Sequence, residues 1–192
     1  ARGTAKADTP DQCEKLLDPV VEKICAMLGE DVYGVDVDSL EQVVGDGLRQ
    51  RGMTLAVAES CTGGLLSKRI TDVPGCSDYY LGGVCSYANE VKMKVLGVQK
   101  ETLETVGAVS PEVAEQMAEG VARALGADVG VGITGVAGPG GGTDEKPVGL
   151  VYISIWHKGQ HFTRKMKSMN GRDRIRMQAA STALDLIRRN VF

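Results

Sequence analysis

A serine, a cysteine and two glycines follow one another where a predicted strand ends and a predicted helix begins, in the segment Glu59-Ser60-Cys61-Thr62-Gly63-Gly64. Ligands of α/β proteins gather at the carboxyl ends of strands, and helix N-termini offer unpaired N–H groups. Ser60 could therefore attack a carbonyl carbon, while Gly63 and Gly64 let a substrate approach backbone donors closely. The residues alone favour a simpler role for Ser60 or Thr62 as a helix cap, and Cys61 is a rival nucleophile.

A serine nucleophile needs a base, and the sequence offers Lys92. The two histidines, His157 and His161, flank a predicted hairpin tip far from every motif, so a histidine-based triad is not expected. In Tyr87-Ala88-Asn89-Glu90-Val91-Lys92, Asn89 could cap a short helix and place Lys92 in its first turn, where the helix dipole disfavours an ammonium ion. Burial would lower the pKa of Lys92 further and make it a competent neutral base. The alternative is an ordinary solvated lysine.

A glycine-dense stretch over residues 132–143 follows another predicted strand. Its N–H groups could cradle a phosphate or an amide oxygen, and a flexible connector is an equal alternative. Gly130, Gly132 and Gly135 spell G-x-G-x-x-G, but they lie within the strand and no helix follows, which argues against a Rossmann cofactor site. Arg172 opens the last predicted helix, where it could bind an anion or simply lie on the surface.

Composition limits the partners. The chain has 192 residues, 43% hydrophobic and 24% charged, which is typical of a soluble globular protein. Its net charge of -3 lacks the basic excess that nucleic-acid binding needs, and no apolar run approaches the roughly 20 residues that span a bilayer. Five cysteines without a metal-binding spacing predict reduced thiols and no metal site. We therefore expect a cytoplasmic protein that binds neither nucleic acid nor membrane.

The elements that must position these residues alternate along the chain. Apolar periodicity and capping signals predict helices over residues 13–28, 38–51, 65–73, 89–96, 111–125 and 172–189, and strands over 55–58, 79–87, 129–134, 148–156 and 160–167. The last two strands would form an antiparallel hairpin. This order predicts an α/β fold, a three-layer α/β/α sandwich on a mixed β-sheet. Residues 1–37 are interpreted as a linker and remnant of a preceding region, and residues 38–192 as the main domain.

Several blocks together resemble the CinA C-terminal family: A-E-S-C-T-G-G, Y-A-N-E-V-K, G-A-V-S, T-G-V-A-G-P-G-G-G-T and K-P-V-G-L-V, spanning about residues 39–189. The resemblance implies hydrolysis of nicotinamide mononucleotide to nicotinate mononucleotide and ammonia in pyridine-nucleotide recycling, with no metal or cofactor. It also implies an upstream nucleotide-handling domain in a full-length protein, and we expect a homo-oligomer. A nucleotide-binding domain without turnover is the alternative. A DNA-related role, suggested by the competence-associated family name, fits the acidic charge poorly.

By the same resemblance, Ser60 attacks the carboxamide carbon, and Lys92 takes its proton and returns it to the departing ammonia. The oxyanion and positioning residues that it implies are Cys61, Thr62, Gly63, Tyr87 and Asn89. The substrate-binding residues are Thr134, Gly135, Gly138, Gly140, Gly141 and Arg172, with Arg172 assigned to the phosphate.

Overall fold

Residues 3–192 are described by a computed structural model, and the chain divides into two units, one up to Val37 and one from Asp38 to Phe192. Ala1 and Arg2, the start of the predicted linker, lie outside the described residues. The first unit contains helix α1 (Pro10–Leu28), which begins three residues earlier than predicted because Thr9 caps it and Pro10 opens it. No residue of α1 is buried, so its apolar periodicity specified a helix without a buried face.

The second unit contains every element predicted for it. Its elements are α2 (Leu40–Gln50), β1 (Leu55–Glu59), α3 (Leu65–Thr71), β2 (Tyr80–Cys85), α4 (Asn89–Leu96), α5 (Lys100–Thr105), α6 (Pro111–Leu125), β3 (Val129–Gly135), β4 (Leu150–His157), β5 (Gln160–Lys167) and α7 (Arg172–Val191). Helix α5 was not predicted, since six residues are too few for a helical period to stand out. His157 ends β4 and flanks the hairpin tip, as predicted, and the tip is the two-residue turn Lys158-Gly159 with φ of 49° and 77°.

The sheet has the strand order β2-β1-β3-β4-β5. Strand β1 is parallel to β2 and β3, whereas β4 is antiparallel to β3 and β5. Helices α4 and α6 cover one face, and α2, α3 and α7 cover the other, each over its own apolar cluster. The structure thus confirms the three-layer α/β/α sandwich on a mixed sheet. Over residues 3–192, none of the helices is long and apolar enough to cross a membrane.

The glycine spacing in β3 has a packing role. A Cβ atom at Gly130 would overlap the carbonyl oxygen of Ala118, and one at Gly132 would overlap that of Ala114. Both carbonyls belong to α6, so these glycines allow the helix backbone to lie directly against the strand. Tight helix-on-strand packing accounts for Gly130 and Gly132, two of the three glycines in the G-x-G-x-x-G pattern.

The parallel arrangement brings three connections to one edge of the sheet. Because β1, β2 and β3 point the same way, the segments after their carboxyl ends lie together. These segments are the nucleophile turn (residues 60–64), the stretch before α4 (residues 86–88), and the glycine loop (residues 136–142). Each predicted motif therefore reaches the same edge.

Candidate active site

A cavity of about 300 Å³ lies at this edge. Most of the predicted site residues line it, and the structure thereby brings together Ser60, Cys61, Tyr87, Asn89, Lys92, Thr134, Gly135, Gly138, Gly140, Gly141 and Arg172. Thr62 and Gly63 do not line it. Four further residues complete the wall, namely Ala108, Val109, Val136 and Ala137.

Ser60 and Lys92 meet in this cavity. The Nζ atom of Lys92 lies 3.2 Å from the Oγ atom of Ser60, although 32 positions separate them in the chain. Lys92 also donates to the carbonyl oxygens of Ser86, at 2.6 Å, and Tyr87, at 3.3 Å. A neutral amine has two hydrogens and one lone pair. With both hydrogens directed to the two carbonyls, the lone pair is left for the Ser60 hydroxyl proton.

The surroundings of Lys92 favour its neutral form. The residue is 1% exposed, and desolvation by burial lowers its pKa from 10.5, partly opposed by the charge of a Cys61 thiolate. The prediction that Asn89 caps α4 is wrong, because the N-cap is Ala88 and Asn89 is the first helical residue, without a side-chain cap bond. Burial is therefore the main cause of the lowered pKa of Lys92.

The carboxylate of Glu59, a residue that was not among the predicted site residues, holds the end of the nucleophile turn and the start of α3. Glu59 is 1% exposed and its carboxylate accepts from the N–H groups of Gly64 at 3.0 Å, Leu66 at 3.0 Å and Ser67 at 2.8 Å. The expected cap by Ser60 or Thr62 is therefore wrong, since Glu59 caps α3. An acidic residue just before a helix start was the available signal.

This cap changes which donors remain for an oxyanion. The α3 donors are occupied by Glu59, and the Gly63 N–H donates to the Ser60 carbonyl at 3.1 Å. The structure thus does not leave Gly63 free for an oxyanion. The N–H groups of Cys61 and Thr62 have no acceptor on another described residue, and Cys61 lines the cavity. Apart from a contact between the Cys61 N–H and its own sulfur, these two donors remain available in the turn.

Arg176, a second residue that was not predicted for the site, also binds the nucleophile turn. Its Nε and Nη2 atoms donate to the Thr62 carbonyl oxygen at 3.2 and 2.7 Å, across 114 positions of sequence. Arg176 lies on α7 one turn beyond Arg172, and this i, i+4 spacing is the signal that could have found it. Two charged side chains therefore hold the turn, the carboxylate of Glu59 and the guanidinium of Arg176.

Cys61 is poorly suited to compete with Ser60. Burial raises the pKa of the Cys61 thiol to about 11, so the nucleophilic thiolate is scarce near neutral pH. The Lys92 amine also lies within hydrogen-bond distance of the Ser60 hydroxyl. Ser60 is the better activated of the two neighbours.

Thr134, Arg172 and the glycine loop also line the cavity. Thr134 donates through Oγ1 to the Ala108 carbonyl oxygen at 2.7 Å. Arg172 is exposed and donates to the Gly138 carbonyl at 2.6 Å and to the Tyr87 hydroxyl at 3.5 Å. The cavity wall thus includes a cation beside glycine-rich backbone. Among residues 3–192 there is no group of three or more His, Cys, Asp or Glu side chains that could hold a metal ion.

Fold and site define a class: an α/β/α sandwich with a serine and a buried lysine paired in a cavity at the carboxyl edge of its parallel strands. The chain belongs to the CinA C-terminal domain family, whose model matches residues 37–191. It is 52% identical over 193 residues to a CinA-like protein of Desulfovibrio desulfuricans, covering 99% of this chain and 45% of that protein. The chain spans about half the length of the curated relatives it matches.

Solved structures agree with this assignment. The competence/damage inducible protein CihA from Agrobacterium tumefaciens is 38% identical with a TM-score of 0.76, covering 81% of this chain and 96% of that chain. The competence damage-inducible protein A (ComA) from Klebsiella pneumoniae is 33% identical with a TM-score of 0.77, covering 79% of this chain and 94% of that chain.

Proposed function

We propose that this chain is an amidohydrolase that converts nicotinamide mononucleotide to nicotinate mononucleotide and ammonia through Ser60 and Lys92. One observation carries the proposal: the Lys92 amine lies 3.2 Å from the Ser60 hydroxyl while two carbonyl oxygens accept its hydrogens. A buried lysine that faces a serine, with a pKa lowered by desolvation toward the neutral amine, is the arrangement needed to activate a hydroxyl nucleophile without histidine.

The chemistry follows from these atoms. Lys92 accepts the Ser60 hydroxyl proton as Oγ bonds to the carboxamide carbon, and the developing oxyanion faces the Cys61 and Thr62 N–H groups. The Lys92 ammonium returns the proton to the amide nitrogen, the C–N bond breaks, and ammonia departs. The acyl group remains bound to Ser60 as an ester. Water, deprotonated by Lys92, then attacks the ester carbon, and Ser60 departs with the proton from Lys92. The carboxylic acid that forms loses its proton to solvent and leaves as the carboxylate.

The cavity suits a nucleotide amide. Its wall offers the reacting pair, Ser60 and Lys92, and also Arg172 and the glycine loop, both suited to a phosphate. Arg172 is assigned to that phosphate, and Tyr87 and Asn89 to positioning of Lys92 or substrate. The family link to pyridine-nucleotide recycling supports the choice of substrate. The proposal places the reaction in the cytoplasm and the domain in a homo-oligomeric, longer protein with an upstream nucleotide-handling domain; residues 1–37 would be the connection.

The experiment is ammonia release from nicotinamide mononucleotide, with free nicotinamide and asparagine as comparison amides. Wild-type protein should release ammonia from the nucleotide, whereas Ser60→Ala should lose nearly all turnover and keep the wild-type melting temperature. A matched Ser77→Ala variant removes an exposed hydroxyl that does not line the cavity, and it should keep turnover. Cys61→Ala should also remain active.

Two outcomes would redirect the proposal. Full activity in Ser60→Ala with loss in Cys61→Ala would move the nucleophile to the thiol. Binding of the nucleotide by calorimetry without ammonia release by wild-type protein would favour the alternative, a nucleotide-binding domain without turnover.

A further inference from the structure

Thr134 lies beside Ser60 at the edge of the sheet. The Ser60 N–H donates to the carbonyl oxygen of Ile133, the residue before Thr134, at 2.9 Å. Thr134 lines the cavity and is 1% exposed, so its hydroxyl is withdrawn from bulk water. Its side chain alternates with that of Ile133 and therefore points to the sheet face that carries α4 and Lys92.

The single proton of this hydroxyl is already used. The Thr134 Oγ1 atom donates to the Ala108 carbonyl oxygen at 2.7 Å, and a carbonyl can only accept. The hydroxyl therefore has no hydrogen left for a ligand. Toward the cavity it can act only as an acceptor.

We propose that Thr134 is a specificity-determining residue that reads the NH₂ group of the carboxamide and disfavours the carboxylate product, an inference that rests on the proposed function. A primary carboxamide presents two N–H donors, one of which matches the fixed Thr134 acceptor. A carboxylate presents only lone pairs, which would face the Thr134 lone pairs in a site shielded from water. The same hydroxyl thus retains substrate and favours departure of product.

The test measures ligand preference apart from turnover. In a Ser60→Ala background, calorimetry gives the dissociation constants of nicotinamide mononucleotide and nicotinate mononucleotide. We expect the amide to bind about tenfold more tightly, as one buried hydrogen bond allows. Adding Thr134→Val, which keeps the branched shape, should abolish this preference, so that the two nucleotides bind with about equal affinity. Using Thr134→Ser in its place should restore the preference.

A matched control separates recognition from structure. Thr71 also donates its hydroxyl to backbone carbonyls, at 3.0 Å, but it lies at the end of α3 outside the cavity. Thr71→Val should leave the amide preference unchanged. If Thr134→Val weakens both ligands equally, the residue only holds Ala108 in place, and the assignment is overturned.

The outcomes also distinguish this assignment from the proposed function. Ammonia release by wild-type protein with an unchanged ligand preference in the Thr134→Val variant would overturn the role of Thr134 alone. The expected preference in a protein that releases no ammonia would support the role of Thr134 and refute catalysis. Failure of both nucleotides to bind would overturn the role of Thr134.

Discussion

The nucleophile turn and the glycine loop follow neighbouring parallel strands and share a glycine-rich composition, yet they are held very differently. The carbonyl of Thr62 in the turn receives two bonds from Arg176, and the Glu59 carboxylate occupies the donors just beyond it. In the loop, Arg172 binds the Gly138 carbonyl, but Cβ atoms at Gly140 and Gly141 would meet nothing within 4 Å. The backbone beside Ser60 is held by charged side chains, whereas the tip of the glycine loop has room to adapt.

This difference follows what each region must do. A nucleophile and its oxyanion donors stabilise a transition state only when they are already placed, because reorganisation during the reaction would cost part of the gain. A phosphate carries several equivalent oxygens, so backbone donors that bind it tolerate small shifts. One cavity can thus combine a firmly bound nucleophile turn with a less constrained glycine loop.

The largest expected effect lies at the base. Lys92→Met keeps a long, buried side chain but removes the lone pair that accepts the Ser60 proton, so kcat should fall by about 10²–10⁴-fold. The melting temperature should not fall, because a desolvated amine is replaced by an apolar group. Ammonia release and thermal unfolding measure both quantities. A change in KM alone would contradict the role of Lys92.

The pH dependence sharpens the same point. Only neutral Lys92 accepts a proton, so kcat/KM should rise with pH through the pKa of Lys92. Desolvation places that pKa below the ordinary 10.5, and the rise should therefore begin at lower pH than for an exposed lysine. A rate profile from acid to alkaline pH tests this, and a midpoint at or above 10.5 would contradict it.

The next largest effect is expected from removing the Glu59 carboxylate that binds the N–H groups at the start of α3. Glu59→Ala leaves several N–H groups at the start of α3 without their acceptor, and the free energy of unfolding should drop by roughly 2–4 kcal/mol. Glu145→Ala, at an exposed position beyond the glycine loop, should change it by less than about 0.5 kcal/mol. Urea titration of both variants provides the comparison. Equal losses would mean that the two regions are held alike.

Substitutions of Arg172 and Arg176 on α7 should separate effects on substrate binding from effects on the chemical step. Arg172→Ala removes the cation on the loop side, and KM for the nucleotide should rise about 10–100-fold, the worth of a charge-assisted contact. Arg176→Met frees the Thr62 carbonyl, and its main effect should be a lower kcat. Steady-state kinetics of both variants decide the matter, and an unchanged KM in Arg172→Ala would remove the phosphate assignment.

The smallest effect belongs to the open part of the loop. A Cβ atom at Gly140 meets no atom within 4 Å, so Gly140→Ala should alter the free energy of unfolding by under about 0.5 kcal/mol. Gly138 is the contrast, since its φ is 77° and a Cβ atom would lie 2.5 Å from Val148. Gly138→Ala should therefore be clearly destabilising in the same urea titration. Equal effects at both positions would show that the loop is uniformly constrained.

Short-range signals predicted much of this molecule. Ser110 caps α6 through its hydroxyl, which accepts from the Val113 N–H at 3.3 Å, and Pro111 is the first residue of the helix, at the start of the predicted range 111–125. Alternating apolar runs and helical periods indicated the order of strands and helices, and hence the layered fold. These signals act over a few residues, which is why they can be found without knowing the rest of the structure.

The sequence by itself determined the elements of the second unit apart from α5, the sandwich, and the motifs that lie after three parallel strands. Only the tertiary structure decided that Lys92 faces Ser60, that Glu59 instead of Ser60 caps α3, and that Arg176 holds the turn. The Arg176 bond joins residues 114 positions apart, and no local pattern specifies which distant side chain meets a given carbonyl. Burial likewise sets the pKa of Lys92, because desolvation depends on everything packed around the amine and not on its neighbours in the chain.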